Sequence, residues 1–249
     1  MGDADSPYCG IFDGNGHTLT INITHDSRYQ APFRYVGSAA FRNLHTAGTV
    51  STTAQYAGGL IAYVLNGNKV TIDNCRTSMT INSTNRTNGG FISRLDDNAD
   101  ALIRNSKFDG SFEGAESISN GGFIGYCQNN SSATIENCVF APDHITTSRD
   151  YCQTWARGDG HTLNIINSYA TQEYTPVTTA SASSMTVDDL LNRLNNGWTQ
   201  QDGVLRSRHD GENAGDHPLH HHAHGSRLQA VLPRRQRHDR ADAEDTDAP

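Results

Sequence analysis

Five asparagines, Asn43, Asn74, Asn105, Asn137 and Asn167, recur with spacings of 31, 31, 32 and 30 residues. Each sits in a similar short block: FRNLH from Phe41, IDNCR from Ile72, IRNSK from Ile103, IENCV from Ile135 and IINSY from Ile165. A second block returns with the first, as GGLIAYV from Gly58, GGFISRL from Gly89 and GGFIGYC from Gly121. So steady a period is the mark of a repeat architecture and has to be settled before any element is assigned. The blocks are short, β-branched and bounded by Gly, Asn, Asp or Ser, which predicts strands and turns rather than helices. The leading segment GIFDGNGHTLTINI (residues 10–23) fits the same reading, a tight turn at 13–16 feeding a strand in which Leu19, Ile21 and Ile23 alternate.

A unit of this kind cannot bury its apolar face alone, and stacking copies remedies that. In a parallel β-helix successive coils lie about 4.8 Å apart, so equivalent positions become vertical neighbours. The residues two before each asparagine, Phe41, Ile72, Ile103, Ile135 and Ile165, form an apolar column that points inward. Those one before, Arg42, Asp73, Arg104 and Glu136, alternate in sign before Ile166, the order that stacked outward strands favour. Chance among four charges is the plain alternative. The residues one after, Leu44, Cys75, Ser106, Cys138 and Ser168, are small or apolar. For both flanking columns to point inward, the alternation must skip at the asparagine, which predicts a corner with stacked Asn amides.

In the glycine block, Leu60, Phe91, Phe123 and Cys152 are expected to form one inward column, with Ala62, Ser93, Gly125 and Thr154 as a small-residue column beside it. Tyr63, Arg94, Tyr126 and Trp155 then lie outside, an aromatic stripe interrupted by arginine, and are the candidate ligand-binding residues. Aromatics on a flat exposed sheet can stack on sugar rings; more often such a column simply covers the sheet and braces neighbouring rungs.

Composition narrows the function. The hydrophobic share is 35%, which implies a thin core. Lysine occurs only at Lys69 and Lys107 and the formal charge is −8, which argues against a nucleic-acid binder with a basic stripe. No apolar run of about 18 residues suggests a transmembrane helix, and residues 1–10 carry no secretory leader, so the chain reads as a fragment or mature piece beginning just before its first strand. Five cysteines without CxxC or metal-ligand spacing read as small buried hydrophobes, with one disulfide left open. No cofactor is expected.

FDGNGHTLTINI, APFRYVGSAAFRNLHTAGTV, the GG[LF]I segments and ATIENCVFAP together resemble the glycine-leucine-x-glycine (GLUG-type) repeats of large bacterial surface and secreted proteins, over about residues 8–175. The resemblance implies an all-β, right-handed parallel β-helix of about five to six coils, used outside the cell as a stalk or adhesive module, and it carries over no catalytic residue. Asp150 and Tyr151 are read as replacing the glycine pair in the last coil, and the first coil is short; end coils of repeat arrays are often atypical.

Beyond the repeats, residues 176–205 read as a linker, a short capping helix and a terminal strand. Thr186 and Asp189 cap the helix, Leu190, Leu191 and Leu194 form its apolar face, Gly197 ends it, and Trp198 and Val204 anchor the strand. Such a helix would cover the open end of the stack. From 206 to 249 the texture changes to an aperiodic tail, disordered or out of frame; His217, His220, His221, His222 and His224 are no more than a weak metal-capturing cluster within it.

The rival class is a polysaccharide lyase or glycosidase, which needs paired carboxylates or a base with a calcium-binding acidic cluster on one face. Asp96, Asp97 and Asp100 are the only local acidic cluster in the repeats, but RLDDNADAL is a turn where Asp is common, and the equivalent turns LNGNKV and QNNSSA bring no matching acids. Asp13 and Asp159 have the same explanation. His17, His25, His45, His144 and His161 fall at unrelated depths of the repeat, and no serine sits on an elbow. The expectation is therefore a non-catalytic module, secreted or on the cell surface, monomeric in isolation, that presents a polar, Thr-rich and aromatic face to glycans or cell-surface proteins.

Overall fold

The computed structural model describes residues 1–115, 118–147, 151–171, 198–201 and 204–207, all within the compact unit Met1–Gly215. The repeats form a β-solenoid of about five turns, every inter-turn strand pair being parallel. One turn runs through the strands Ile61–Val64, Lys69–Asp73, Arg76–Ser83 and Asn88–Gly89. Ile92–Leu95, Asp100–Arg104, Lys107–Phe108 with Ser111–Gly114, and Asn120–Gly121 lie directly over them in the next. The ten-stranded sheet is two stacks joined through one long strand, Phe33–Arg42. Its first half pairs with Ile61–Val64 and its second with Lys69–Asp73.

The asparagine corner is as the sequence predicts. Asn43, Asn74, Asn105, Asn137 and Asn167 all have φ between 43° and 54°, the left-handed conformation that reverses the alternation. Asparagine tolerates it better than other residues bearing a Cβ. Their amides interlock along the stack: Asn74 donates to Asn43 at 2.8 Å, Asn137 to Asn105 at 2.6 Å and Asn167 to Asn137 at 3.0 Å. Asn43 and Asn105 donate to the carboxylates of Asp13 and Asp73. Phe41, Ile72, Ile103 and Ile135 are fully buried before the corner, and Leu44, Cys75, Ser106, Cys138 and Ser168 are buried after it. The alternating charges stand outside, where Arg42 pairs with Asp13 at 2.8 Å and Arg104 with Asp73 at 2.7 Å.

The glycine pairs serve close approach. A Cβ on Gly122 would lie 2.0 Å from the carbonyl oxygen of Thr154 in the next turn and 2.6 Å from the Phe140 ring. The asparagines just before two of these pairs form a second, internal file: Asn88 donates to Asn120 at 2.9 Å, and Asn120 to Thr147 at 2.6 Å. All five cysteines are free thiols; Cys9 is exposed and the rest are buried. Burial pushes the thiols of Cys127 and Cys152 up to about 12, which leaves them un-ionised and unreactive.

The last turn corrects the sequence alignment. Asn120 pairs with Cys152 and Gly121 with Gln153, so Gln153 and Thr154 stand where the glycine pair stands elsewhere, not Asp150 and Tyr151. Ile124 pairs with Ala156, which sets Trp155, not Cys152, in the column of Leu60, Phe91 and Phe123. Trp155 is 1% exposed and packs on Phe123 with ring centroids 5.4 Å apart. Thr154 is likewise out of the Ala62, Ser93 and Gly125 column. Trp198–Gln201 and Val204–Ser207 pair antiparallel, so the single terminal strand expected there is two. The expected capping helix and the histidine-rich residues fall outside the described residues. Among the described residues no helix is long and apolar enough to cross a membrane.

Candidate functional site

The glycine-block strands each end in two inward residues around one outward residue, because Val64, Leu95 and Cys127 are buried while the residue before each is half-exposed. Those outward residues are Tyr63, Arg94 and Tyr126, held in one file by the register Tyr63 to Arg94 to Tyr126, with Tyr35 beneath. Three of the four sequence candidates therefore come together. Trp155 does not; the outward residue of its strand, Ala156–Gly158, is Arg157, half-buried like Arg94.

Two further tyrosines reach the file from the neighbouring corner. Tyr29 and Tyr56 precede Gln30 and Ala57, which bridge one another, and both adopt positive φ, 66° and 73°. That conformation is uncommon for a large side chain. It turns Tyr29 to stack on Tyr56 at 4.9 Å and 9°, and on Tyr63 at 4.7 Å and 13°. Tyr35 meets Tyr63 edge-on at 5.8 Å. The Arg94 guanidinium lies over Tyr63 and Tyr56, at 5.2 and 5.3 Å from their centroids, and donates to the Tyr56 hydroxyl at 3.2 Å. Its other edge meets Asp96 at 3.2 Å, and Tyr63 donates its hydroxyl to the second oxygen of the same carboxylate. Arg34 lies over Tyr35 at 5.4 Å at the far side.

Electrostatics keep this arrangement fixed. Burial, reinforced by the hydrogen bond to Asp96, raises the Tyr63 phenol well above its ordinary value, so it remains a donor. Burial works against the charge of Arg94, but the surrounding tyrosine oxygens and Asp96 outweigh it and hold the guanidinium protonated. The cluster thus gathers four half-exposed tyrosines, one fixed cation and one carboxylate within a few ångströms, groups of the kind that bind sugar rings or aromatic and charged side chains without first having to be ordered.

The other sequence candidates disperse. Asp96 belongs to this cluster, whereas Asp100 pairs with Lys69 at 2.9 Å and accepts from Ser132 at 2.5 Å. His45 bridges Thr18 and Ser78, while His25 accepts from the backbone of Ser27. Among the described residues no three Asp, Glu, His or Cys side chains converge as a metal ion would require. Sequence reasoning missed Tyr29, Tyr35, Tyr56 and Arg157. YQAPFRY and YAGGLIAY do share a leading and a closing tyrosine, but the spacings of six and seven residues obscure the match. Set against known protein families, curated proteins and solved structures, the chain finds no match.

Proposed function

We propose that this protein is a non-catalytic β-solenoid module of the cell surface or extracellular space, a stalk or adhesive surface that binds glycans through the cluster of Tyr29, Tyr35, Tyr56, Tyr63 and Arg94. One observation carries the reading: three tyrosine rings stacked in parallel under an arginine whose opposite edge is held by a carboxylate. A cluster meant only to fill space needs no guanidinium clamped in this way. A rigid ladder of parallel strands holds it, so little ordering entropy is lost on binding. The GLUG-type resemblance points to the same setting. Asp96 is engaged by both Arg94 and Tyr63 and is not placed as a free base, which favours binding over turnover.

Glycan-array binding of the full chain tests this. Arg94→Ala and Tyr63→Ala, each checked for an unchanged β-rich circular-dichroism spectrum, are expected to weaken glycan binding about five- to thirtyfold, since an aromatic or cation contact at such a site contributes about 1–2 kcal/mol. Undiminished binding by correctly folded variants would remove the cluster as the site. Release of unsaturated sugar ends from a bound polysaccharide would assign the fold to an enzyme instead.

A further inference from the structure

A second polar site lies on a different sheet. The strand Arg76–Ser83 runs unbroken against His45–Thr52, but the turns above it break in the middle. Two residues, Asp109 and Gly110, separate Phe108 from Ser111; three, Ala141 to Asp143, separate Phe140 from His144. The extra residue at Pro142 is a bulge in the fourth turn, a device that re-aims side chains beside functional sites. Below it opens a groove of about 580 Å³ lined by Arg76, Ser78, Thr80, Asp109, Ser111 and Asp143. Gly110 lies at its floor, where a Cβ would come within 2.1 Å of the Met79 carbonyl oxygen.

The polar groups of this groove are held from behind. Arg76 grips Asp109 through Nε at 3.0 Å to both carboxylate oxygens and through Nη2 at 2.7 Å. Lys107, which is buried, reaches the same carboxylate at 3.0 Å. The Ser78 hydroxyl is fixed by His45 Nε2 at 2.6 Å, and His45 in turn by Thr18 at 3.0 Å. Thr80 and Ser111 stand side by side on adjacent strands. Three hydroxyls, one guanidinium and two carboxylates thus surround one opening, with no large apolar side chain among them.

The donor set selects the ligand class. Inorganic anions would meet Asp109 and Asp143 in the wall, and Asp109 already occupies the guanidinium. A divalent cation would need a converging group of ligands that the described residues do not form. A polyol fits these groups, because its hydroxyls donate to the Asp109 and Asp143 carboxylates and pair either way with the serine and threonine hydroxyls, and it needs no free cation. We propose that this groove is a saccharide-binding subsite that works by hydrogen bonding alone and is independent of the tyrosine cluster.

Its test uses the full chain on an array of neutral, uronate and N-acetylhexosamine oligosaccharides, with inorganic phosphate and calcium chloride as competitors. Asp143→Ala, which removes an exposed carboxylate, and Thr80→Trp, which fills the opening, are expected to weaken a subset of sugars at least tenfold. Arg94→Ala should leave that subset bound. Loss with Arg94→Ala alone, with both groove variants folded and binding normally, overturns the groove while sparing the tyrosine site. Binding displaced by millimolar phosphate overturns it in favour of an anion site, and no sugar bound by the native chain overturns both.

Discussion

At the scale of single residues, the corner asparagines bear most of the conformational burden. Asn137, at φ 54°, donates to Asn105 and accepts from Asn167. Replacing it by alanine gives up asparagine's tolerance of the left-handed region, which otherwise costs about 1–2 kcal/mol, and removes amide bonds that contribute about 1 kcal/mol. Asn137→Ala is therefore expected to cost about 2–3 kcal/mol in urea unfolding, and Asn137→Gly, which keeps the backbone relaxed, distinctly less. Equal losses in the two variants would show that backbone strain plays no part. Acid acts on other residues. Asp13 is held below its ordinary 3.8 chiefly by the Asn15 backbone N–H and then by the Asn43 amide, Asp26 by Thr53, and Asp100 by Ser132 and then Lys69. A depressed carboxyl stabilises the fold above its unfolded value and loses that contribution as pH falls through the folded one. The urea midpoint should thus decline between about pH 5 and pH 1, shallowly because these groups are exposed. Asparagine at positions 13, 26 and 100 should flatten the decline, and an unchanged slope would discount these hydrogen bonds.

Among the elements, the last turn separates a core residue from a surface one. Trp155→Ala removes a fully buried ring and is expected to cost about 3–5 kcal/mol, whereas Tyr126→Ala, on the half-exposed outer file, should cost far less. Similar losses would refute the register of Ala156 over Ile124. That register was not legible in the sequence. From Phe123 to Trp155 the chain advances 32 residues, and from Trp155 to Asn167 only 12, against 14 from Phe123 to Asn137. Phe91 to Phe123 is also 32 residues, so the chain keeps its period up to Trp155 and is shortened only after it, and the total spacing between asparagines hides where the residues went. Packing decides it, because the Trp155 indole lies over the Phe123 ring in the turn before. The four earlier asparagine corners were legible because insertions there are absent and each position meets its equivalent one strand away. The outer file was legible for Tyr63, Arg94 and Tyr126 for the same reason. Tyr29 and Tyr56 were not, since their positive φ belongs to the corner before the glycine block, where Thr87 of the next turn adopts 74°, and no local preference of tyrosine announces it.

Over the whole molecule, stability follows the stacking axis. Phe41, Ile72, Ile103 and Ile135 are fully buried, while Leu19, Ile21 and Ile23 at one end and Leu163 and Ile165 at the other are only half-buried. A solenoid whose turns contact mainly their neighbours opens from its ends. Amide hydrogen exchange should therefore be slowest in Lys69–Asp73 and Asp100–Arg104 and fastest in Thr18–Thr24 and Thr162–Ile166. Uniform protection would mean that the array unfolds as one unit.

Read alone, the order of amino acids established the period, the stacked β architecture, the asparagine corner and the sign of the outward charges. All of these arise from equal spacing along the chain, and parallel ladders convert equal spacing into contact. The folded chain alone settled the depth of Trp155, the gathering of Tyr29 and Tyr56 around Arg94, and the groove beneath Pro142. Each depends on where an irregular turn gains or loses a residue, and that is chosen by the fit of side chains from different turns, which a linear pattern does not record.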